Sequence, residues 1–209
     1  MSFFDINNIV FKVLGYPISY VEFIGTLFGL VSVYLASRAN ILTWATGIVN
    51  ELFLFILFFQ VQLYADMFLQ VYFFVVTLFG WYNWKKNPKK KGITSTKVQT
   101  KIWLVGVIIT GTLVTGFLFS NIHIYLPQYF EIESAYPYTD SFVMILSIVA
   151  TIFLAGKRIE SWHLWILVDL ICVILFFKKG IVFLALEYLI FLIMATYGLI
   201  NWKKQIVNG

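Results

Sequence analysis

Seven stretches of roughly 20 mostly apolar residues follow one another along the chain, each long enough to cross the ~30 Å hydrocarbon core of a bilayer at ~1.5 Å per residue. They lie near residues 18–37, 41–60, 64–84, 102–120, 139–156, 161–177 and 181–202. In hydrocarbon every backbone N–H and C=O must be met within the protein, so such stretches fold as helices that pack side by side. Composition agrees, with 61% of the 209 residues hydrophobic, 20% aromatic and 12% charged, far from a soluble average. The expected fold is an all-α integral membrane protein. The opening "MSFFDINNIV" has neither a basic start nor a small-residue cleavage site, so the first span is expected to stay in place.

Basic residues set the expected orientation. Most connections are short, which makes neighbouring helices antiparallel. Two are long: the basic "KKNPKKKGITSTKVQTK" of residues 85–101, and "NIHIYLPQYFEIESAYPYTD" of residues 121–140. Twelve of the fifteen Lys and Arg fall on one side, namely Arg38, the seven lysines from Lys85 to Lys101, Lys157, Arg158, Lys203 and Lys204. Lys12, Lys178 and Lys179 fall on the other. Cytoplasmic loops carry the basic excess, so the N-terminus is expected outside, the C-terminus inside, and the 121–140 loop as an outer cover. The net charge of +5 is explained by this topology, and no nucleic-acid partner is expected.

Several chemistries are excluded. A lone Cys172 makes no intramolecular disulfide, and His123 and His163, 40 residues apart, make no zinc site with it. No phosphate-binding glycine loop, H-E-x-x-H or G-x-S-x-G motif is present, so neither an enzyme nor a cofactor is expected.

The chain also repeats itself. At an offset of 118 residues, "TWATGIVNELFLFILFF" lies on "SWHLWILVDLICVILFF" without a gap, and "GWYNWKK" lies on "GLINWKK". Trp44 thereby matches Trp162, Glu51 matches Asp169, Gly80 matches Gly198, Asn83 matches Asn201, and Trp84 matches Trp202. Three helices per repeat with one span between them predict a 3+1+3 arrangement of parallel repeats. The expected division is a first three-helix bundle over 1–84, a basic loop, linker span and outer loop over 85–138, and a second bundle over 139–209.

Polar residues at membrane depth are expensive and need partners or a cavity. Glu51 and Asp169 fall near the middle of their spans and are expected to face each other across the axis relating the repeats. Trp162, Trp165 and Asp169 are spaced 3 and 4, and so stack along one helical face, as do Trp44, Gly47 and Glu51. Indole faces attract cations and flat rings, while carboxylates balance charge and accept hydrogen bonds. The expected ligand is therefore an aromatic cation or a polar heterocycle. Asp66, Gln70 and Thr77 form a polar stripe on the third span; Tyr188 holds the repeat position of Gln70, with Glu187 beside it. The candidate substrate-binding set is Trp44, Asn50, Glu51, Gln70, Trp162, Trp165, Asp169, Glu187 and Tyr188, with no catalytic or metal-ligating residue. Asn50 could also turn to a neighbouring helix. Trp81, Trp84 and Trp202, at the basic ends, are expected in an interfacial aromatic belt. Gly25 and Gly29 of "GTLFG" are expected to let two helices approach closely.

The Trp162-x-x-Trp165 motif, the Q-x-Q-L-Y of Gln60 to Tyr64 and the terminal "NWKK" give a chain that resembles the Pnu family of bacterial vitamin transporters over nearly its whole length. The resemblance implies a SWEET-like seven-helix core, a homotrimer in the bacterial inner membrane, and facilitated diffusion made one-way by cytoplasmic phosphorylation of the substrate. It implies nicotinamide riboside as the substrate, with thiamine as the alternative. Trp162 and Trp165 match the family's substrate-stacking motif, and Gln70 a polar pocket position. Asp169 and Glu51 depart from the riboside importers, which often carry an asparagine and an apolar residue there. A pair of carboxylates suits a cationic vitamin better than neutral riboflavin.

Overall fold

The computed structural model describes residues 3–13, 15–61, 64–86, 92–128, 135–178, 180 and 182–206, without the side chains of 64–66 and 68. Seven helices dominate: α1 (Tyr20–Ser37), α2 (Leu42–Gln60), α3 (Tyr64–Lys86), α4 (Val98–Tyr125), α5 (Pro137–Ala155), α6 (Glu160–Lys178) and α7 (Val182–Gln205). Among the described residues six of them are long and apolar enough to cross a membrane, and the chain is a multi-pass membrane protein. The remaining helix, α3, is 23 residues long and carries the Asp66, Gln70 and Thr77 stripe. Ahead of the helices stands an element the sequence reading missed, an antiparallel hairpin of β1 (Ile9–Val13) and β2 (Tyr16–Ser19). Gly15, at φ +84°, makes its turn, a conformation that costs glycine nothing.

Local chemistry sets the helix ends. Ser19 caps α1, its hydroxyl accepting from the Glu22 N–H at 3.1 Å, with Glu22 at the third position of a capping box. Pro137 starts α5, where its missing N–H is no loss. The α4 helix runs on to Tyr125 and α5 begins at Pro137, so the connection between them is shorter than the expected 121–140, and residues 129–134 of it lie outside the described residues.

The turns joining α1 to α2 and α5 to α6 are the same turn built twice. Ala39 and Lys157, 118 residues apart, both sit at positive φ, +51° and +52°. Ala39 N–H donates to Ala36 O and Asn40 N–H to Leu35 O; the counterparts run from Lys157 to Leu154 O and from Arg158 to Phe153 O, all within 2.8–3.0 Å. Helices α1, α2 and α3 pack in sequence, as do α5, α6 and α7, with α4 against α5. Between these groups, α1 packs on α7 and α3 on α5.

Within the first group, Asn50 of α2 donates through Nδ2 to Gly25 O at 2.8 Å. A Cβ on Gly29 would come within 2.9 Å of that amide. The two glycines thus admit a side-chain hydrogen bond to a helix backbone, as small residues at membrane helix contacts do.

Candidate functional site

The two seams between the groups converge on four tryptophans. Trp44 lies on Gly80 so closely that a Cβ there would be 2.4 Å from its Cη2; Trp162 lies on Gly198, where a Cβ would be 2.7 Å from Cε2. The Trp44 and Trp84 rings meet edge to face at 5.3 Å, the Trp162 and Trp202 rings at 5.6 Å, and Trp84 and Trp202 close the chain at 6.3 Å. Edge-to-face geometry sets the positive ring edge against the negative face.

Each seam is also sealed by hydrogen bonds to the end of a helix in the other group. Asn83 Nδ2 and Trp84 Nε1 donate to Ala155 O at 2.7 and 3.1 Å. Asn201 Nδ2 donates to Ser37 O at 2.8 Å, and Trp202 Nε1 to Ala36 O at 3.0 Å. The last carbonyls of a helix have no intrahelical partner, and leaving them bare in an apolar interior is costly. Trp84 and Trp202 are therefore no interfacial belt: they are 4% and 0% exposed because their N–H groups serve those carbonyls. Outside the spans, the Lys157 ammonium sits 4.8 Å from the Trp84 ring centroid, and burial pulls its pKa below the ordinary lysine value.

This packing changes the expected part of Trp44 and Trp162. Both are almost wholly buried, with ring atoms pressed on glycine and edges met by a second indole, so they floor the bundle interior at its basic end and do not stand as open walls. Trp165, one turn further in, is half-buried and touches both core clusters.

The acids stand deeper still. Glu51 and Asp169 are 7% and 3% exposed. The Thr77 hydroxyl donates to Glu51 Oε1, while Oε2 is buried with no partner. Ala195, 118 residues beyond Thr77, stands in the corresponding place of the other half and offers Asp169 no such donor. Among the described residues no hydrogen bond or ion pair joins the two carboxyls, and Thr77 is the hydroxyl donor to Glu51.

The other candidates spread out. Gln70 is buried. Tyr188 stacks on Phe176 at 5.3 Å inside the second group, with its hydroxyl in electrostatic reach of Cys172, Glu187 and Asp169. Glu187 lies on the α1–α7 seam near Thr26 and Glu22, away from the indoles. Asn50, turned onto Gly25, is a helix tie. The Asp66 side chain lies outside the described residues. Thr77, first noted only as part of a stripe, proves to be the Glu51 partner; its spacing of 26 from Glu51 across a helical turn gave no local signal.

Besides Glu51 Oε2, the Nε1 groups of Trp44 and Trp162 are buried without partners, against the rule that buried polar groups pair. Ionisable groups at this depth in membrane proteins commonly mark substrate or ion paths. Comparison makes the class specific: residues 19–204 match the family described as "Nicotinamide mononucleotide transporter", and the chain belongs to that transporter family. The nicotinamide riboside transporter PnuC of Escherichia coli is 31% identical over 97% of this chain and 94% of its own length. The riboflavin/roseoflavin transporter RibM of Streptomyces davaonensis is 26% identical, over 94% and 91%. The crystal structure of the vitamin B3 transporter PnuC shares the fold, with a TM-score of 0.67 at 22% identity, over 88% of this chain and 81% of that one.

Proposed function

We propose that this chain is a uniporter that brings nicotinamide riboside into the cell by facilitated diffusion. The observation that carries the reading is the pair of buried carboxyls, Glu51 and Asp169, at matching positions on α2 and α6 of a chain 31% identical to a riboside transporter. The nicotinamide ring of the riboside is a flat cation, and its ribose carries hydroxyl donors. Carboxylates balance the one and accept from the other, and the half-buried Trp165 offers the ring a face.

Architecturally, α1–α3 and α5–α7 form two parallel three-helix bundles with α4 between them, a SWEET-like 3+1+3 plan. The recurrence at 118 residues of the turns, the Trp–Gly contacts and the Asn donors supports it. The site lies between the bundles near midplane, lined by Glu51, Gln70, Trp165 and Asp169, with Trp44 and Trp162 beneath and the Tyr188 hydroxyl at its edge. Rocking of one bundle against the other exposes it alternately. The basic end faces the cytoplasm, the N-terminus lies outside, and a homotrimer in the bacterial inner membrane is the working assembly. Thiamine, also a flat cation, is the alternative substrate; uncharged riboflavin fits two carboxyls poorly.

Calorimetry on the purified chain with the riboside and thiamine side by side, followed by uptake in sealed proteoliposomes, tests the proposal. The expected result is saturable riboside binding and flux, both weakened by Asp169→Asn. Thiamine bound and the riboside ignored would reassign the substrate; flux of neither would refute uniport of both.

A further inference from the structure

The connection from α3 to α4 is tied to the basic end by a dense set of bonds. Thr94 N–H donates to Lys157 O at 3.1 Å and Ile159 N–H to Thr94 O at 3.0 Å, a short parallel bridge between Thr94 and Arg158. Arg158 donates to Thr94 Oγ1 at 2.9 Å and to Ser95 O at 3.3 Å. The Glu160 carboxylate accepts from Ser95 Oγ at 2.8 Å, Thr96 N–H at 2.9 Å and Thr96 Oγ1 at 3.1 Å. Lys101 Nζ pairs with it at 2.8 Å, the one ion pair among the described residues. Just before this anchor, Ile93 is 3% exposed and lies in the same buried cluster as Trp44, Trp84, Trp162 and Trp202. A loop residue thus caps the place where the two halves meet.

The repeat supplies an internal control. The α1–α2 turn has the same backbone hydrogen bonds, yet Leu42 stands where Glu160 does, 56% exposed, and Asn40 where Arg158 does. The turn therefore forms without an acid at that position. Glu160 and Arg158 serve the loop that docks on them.

We propose that residues 92–97 are a gate bar across the cytoplasmic end of the transport path, with Ile93 as the plug and Glu160 as its anchor. This inference rests on the transporter reading, in which cargo passes between the two halves. A path opening at the basic end must separate the four indoles, and Ile93, packed on them, must leave with or before them. Its departure requires the Ser95 and Thr96 bonds to Glu160 to break. The gate is one-sided, since only the second half carries the anchor.

The test uses the full chain in inside-out vesicles, on a Cys172→Ser background with Ile93→Cys, and follows labelling by a membrane-impermeant maleimide. Slow labelling is expected, rising on the order of tenfold or more when Glu160→Ala removes the charged anchor. Glu160→Gln, which keeps the size, is expected between the two. In a second arm, Ser95→Cys with Glu160→Cys is joined by a short bifunctional reagent carrying a cleavable disulfide. The joined protein is expected to bind nicotinamide riboside by calorimetry but to lose at least nine-tenths of its flux, recovered on reduction. Labelling at position 93 unchanged by either Glu160 variant, or undiminished flux in the joined protein, would overturn the gate. A chain that moves neither vitamin would fail the transport reading, while the labelling arm, which needs no substrate, would still decide whether the bar opens.

Discussion

Adding one methyl group at Gly198 should unseat Trp162. A Cβ there falls 2.7–2.8 Å from three atoms of the indole, and at Gly80 it falls 2.4–2.6 Å from three atoms of Trp44. Neither ring has room to yield, because Trp202 and Trp84 pack against them at nearly right angles. Alanine returns about 1 kcal/mol of helix propensity, while forced overpacking costs about 1–3 kcal/mol and more where neighbours are rigid. With rigid neighbours the cost falls at the upper end, about 3 kcal/mol, so the net loss for Gly198→Ala is about 2 kcal/mol, or roughly 4–8 °C in melting temperature at this chain length. Gly80→Ala, with the shorter contacts, should lose at least as much. The two sites share the indole chain, so the double variant should depart from additivity. Thermal unfolding in detergent, followed by far-UV circular dichroism so that indole emission does not confuse the signal, measures this. Gly106→Ala, where a Cβ would meet nothing within 4 Å, is the control and should hold or gain stability. Trp162→Leu combined with Gly198→Ala should recover part of the loss. A Gly198→Ala protein that melts with the parent would show that the indole does not rest on that backbone, and the packing argument would fall.

Other outcomes follow from the same geometry. Asn201→Ala should destabilise more than Asn83→Ala, since Ala155 O keeps its Trp84 donor while Ser37 O loses the one side-chain donor it has; the first should cost about 1–3 and the second about 1 kcal/mol, read by denaturation midpoints. Thr77→Val should leave Glu51 without its hydroxyl donor and cost about 1–3 kcal/mol, whereas adding Glu51→Leu to it should restore stability and abolish riboside binding by calorimetry. Ala39→Gly should gain up to about 1 kcal/mol by relieving a positive φ. Lys157→Gly should come out near neutral, because the same relief is offset by the lost cation–π contact with Trp84; equal gains at both positions would remove that contact from the account.

The helices could be read directly because a run of about 20 apolar residues has one outcome in a bilayer. The correspondence of Trp44 with Trp162 was equally plain, since indoles are rare and a shared offset is hard to mimic. Gly25 and Gly29 also met expectation. The aromatic floor was misread for a physical reason: tryptophan beside lysine at a helix end usually marks the headgroup region. Only the distant ends of α1 and α5 reveal that Trp84 and Trp202 are hydrogen-bonded inside. The hairpin of residues 9–19 is too short to stand by itself and was missed because it is held by packing on the helices that follow. Residues 93–96 read as an ordinary polar connection, because nothing local ties Ser95 and Thr96 to an acid more than 60 positions ahead.

The crossed hydrogen bonds at the basic end make the two halves obligate partners. Each supplies the amide and indole that finish a helix of the other, so a fragment ending before α5 would carry Asn83 and Trp84 with no carbonyl to meet and leave Ser37 O without its Asn201 donor. Two fragments made together from a chain cut in the connection after α4 should reassemble, while either alone should be lost to degradation. A single three-helix unit could satisfy the same bonds only by pairing with a copy of itself.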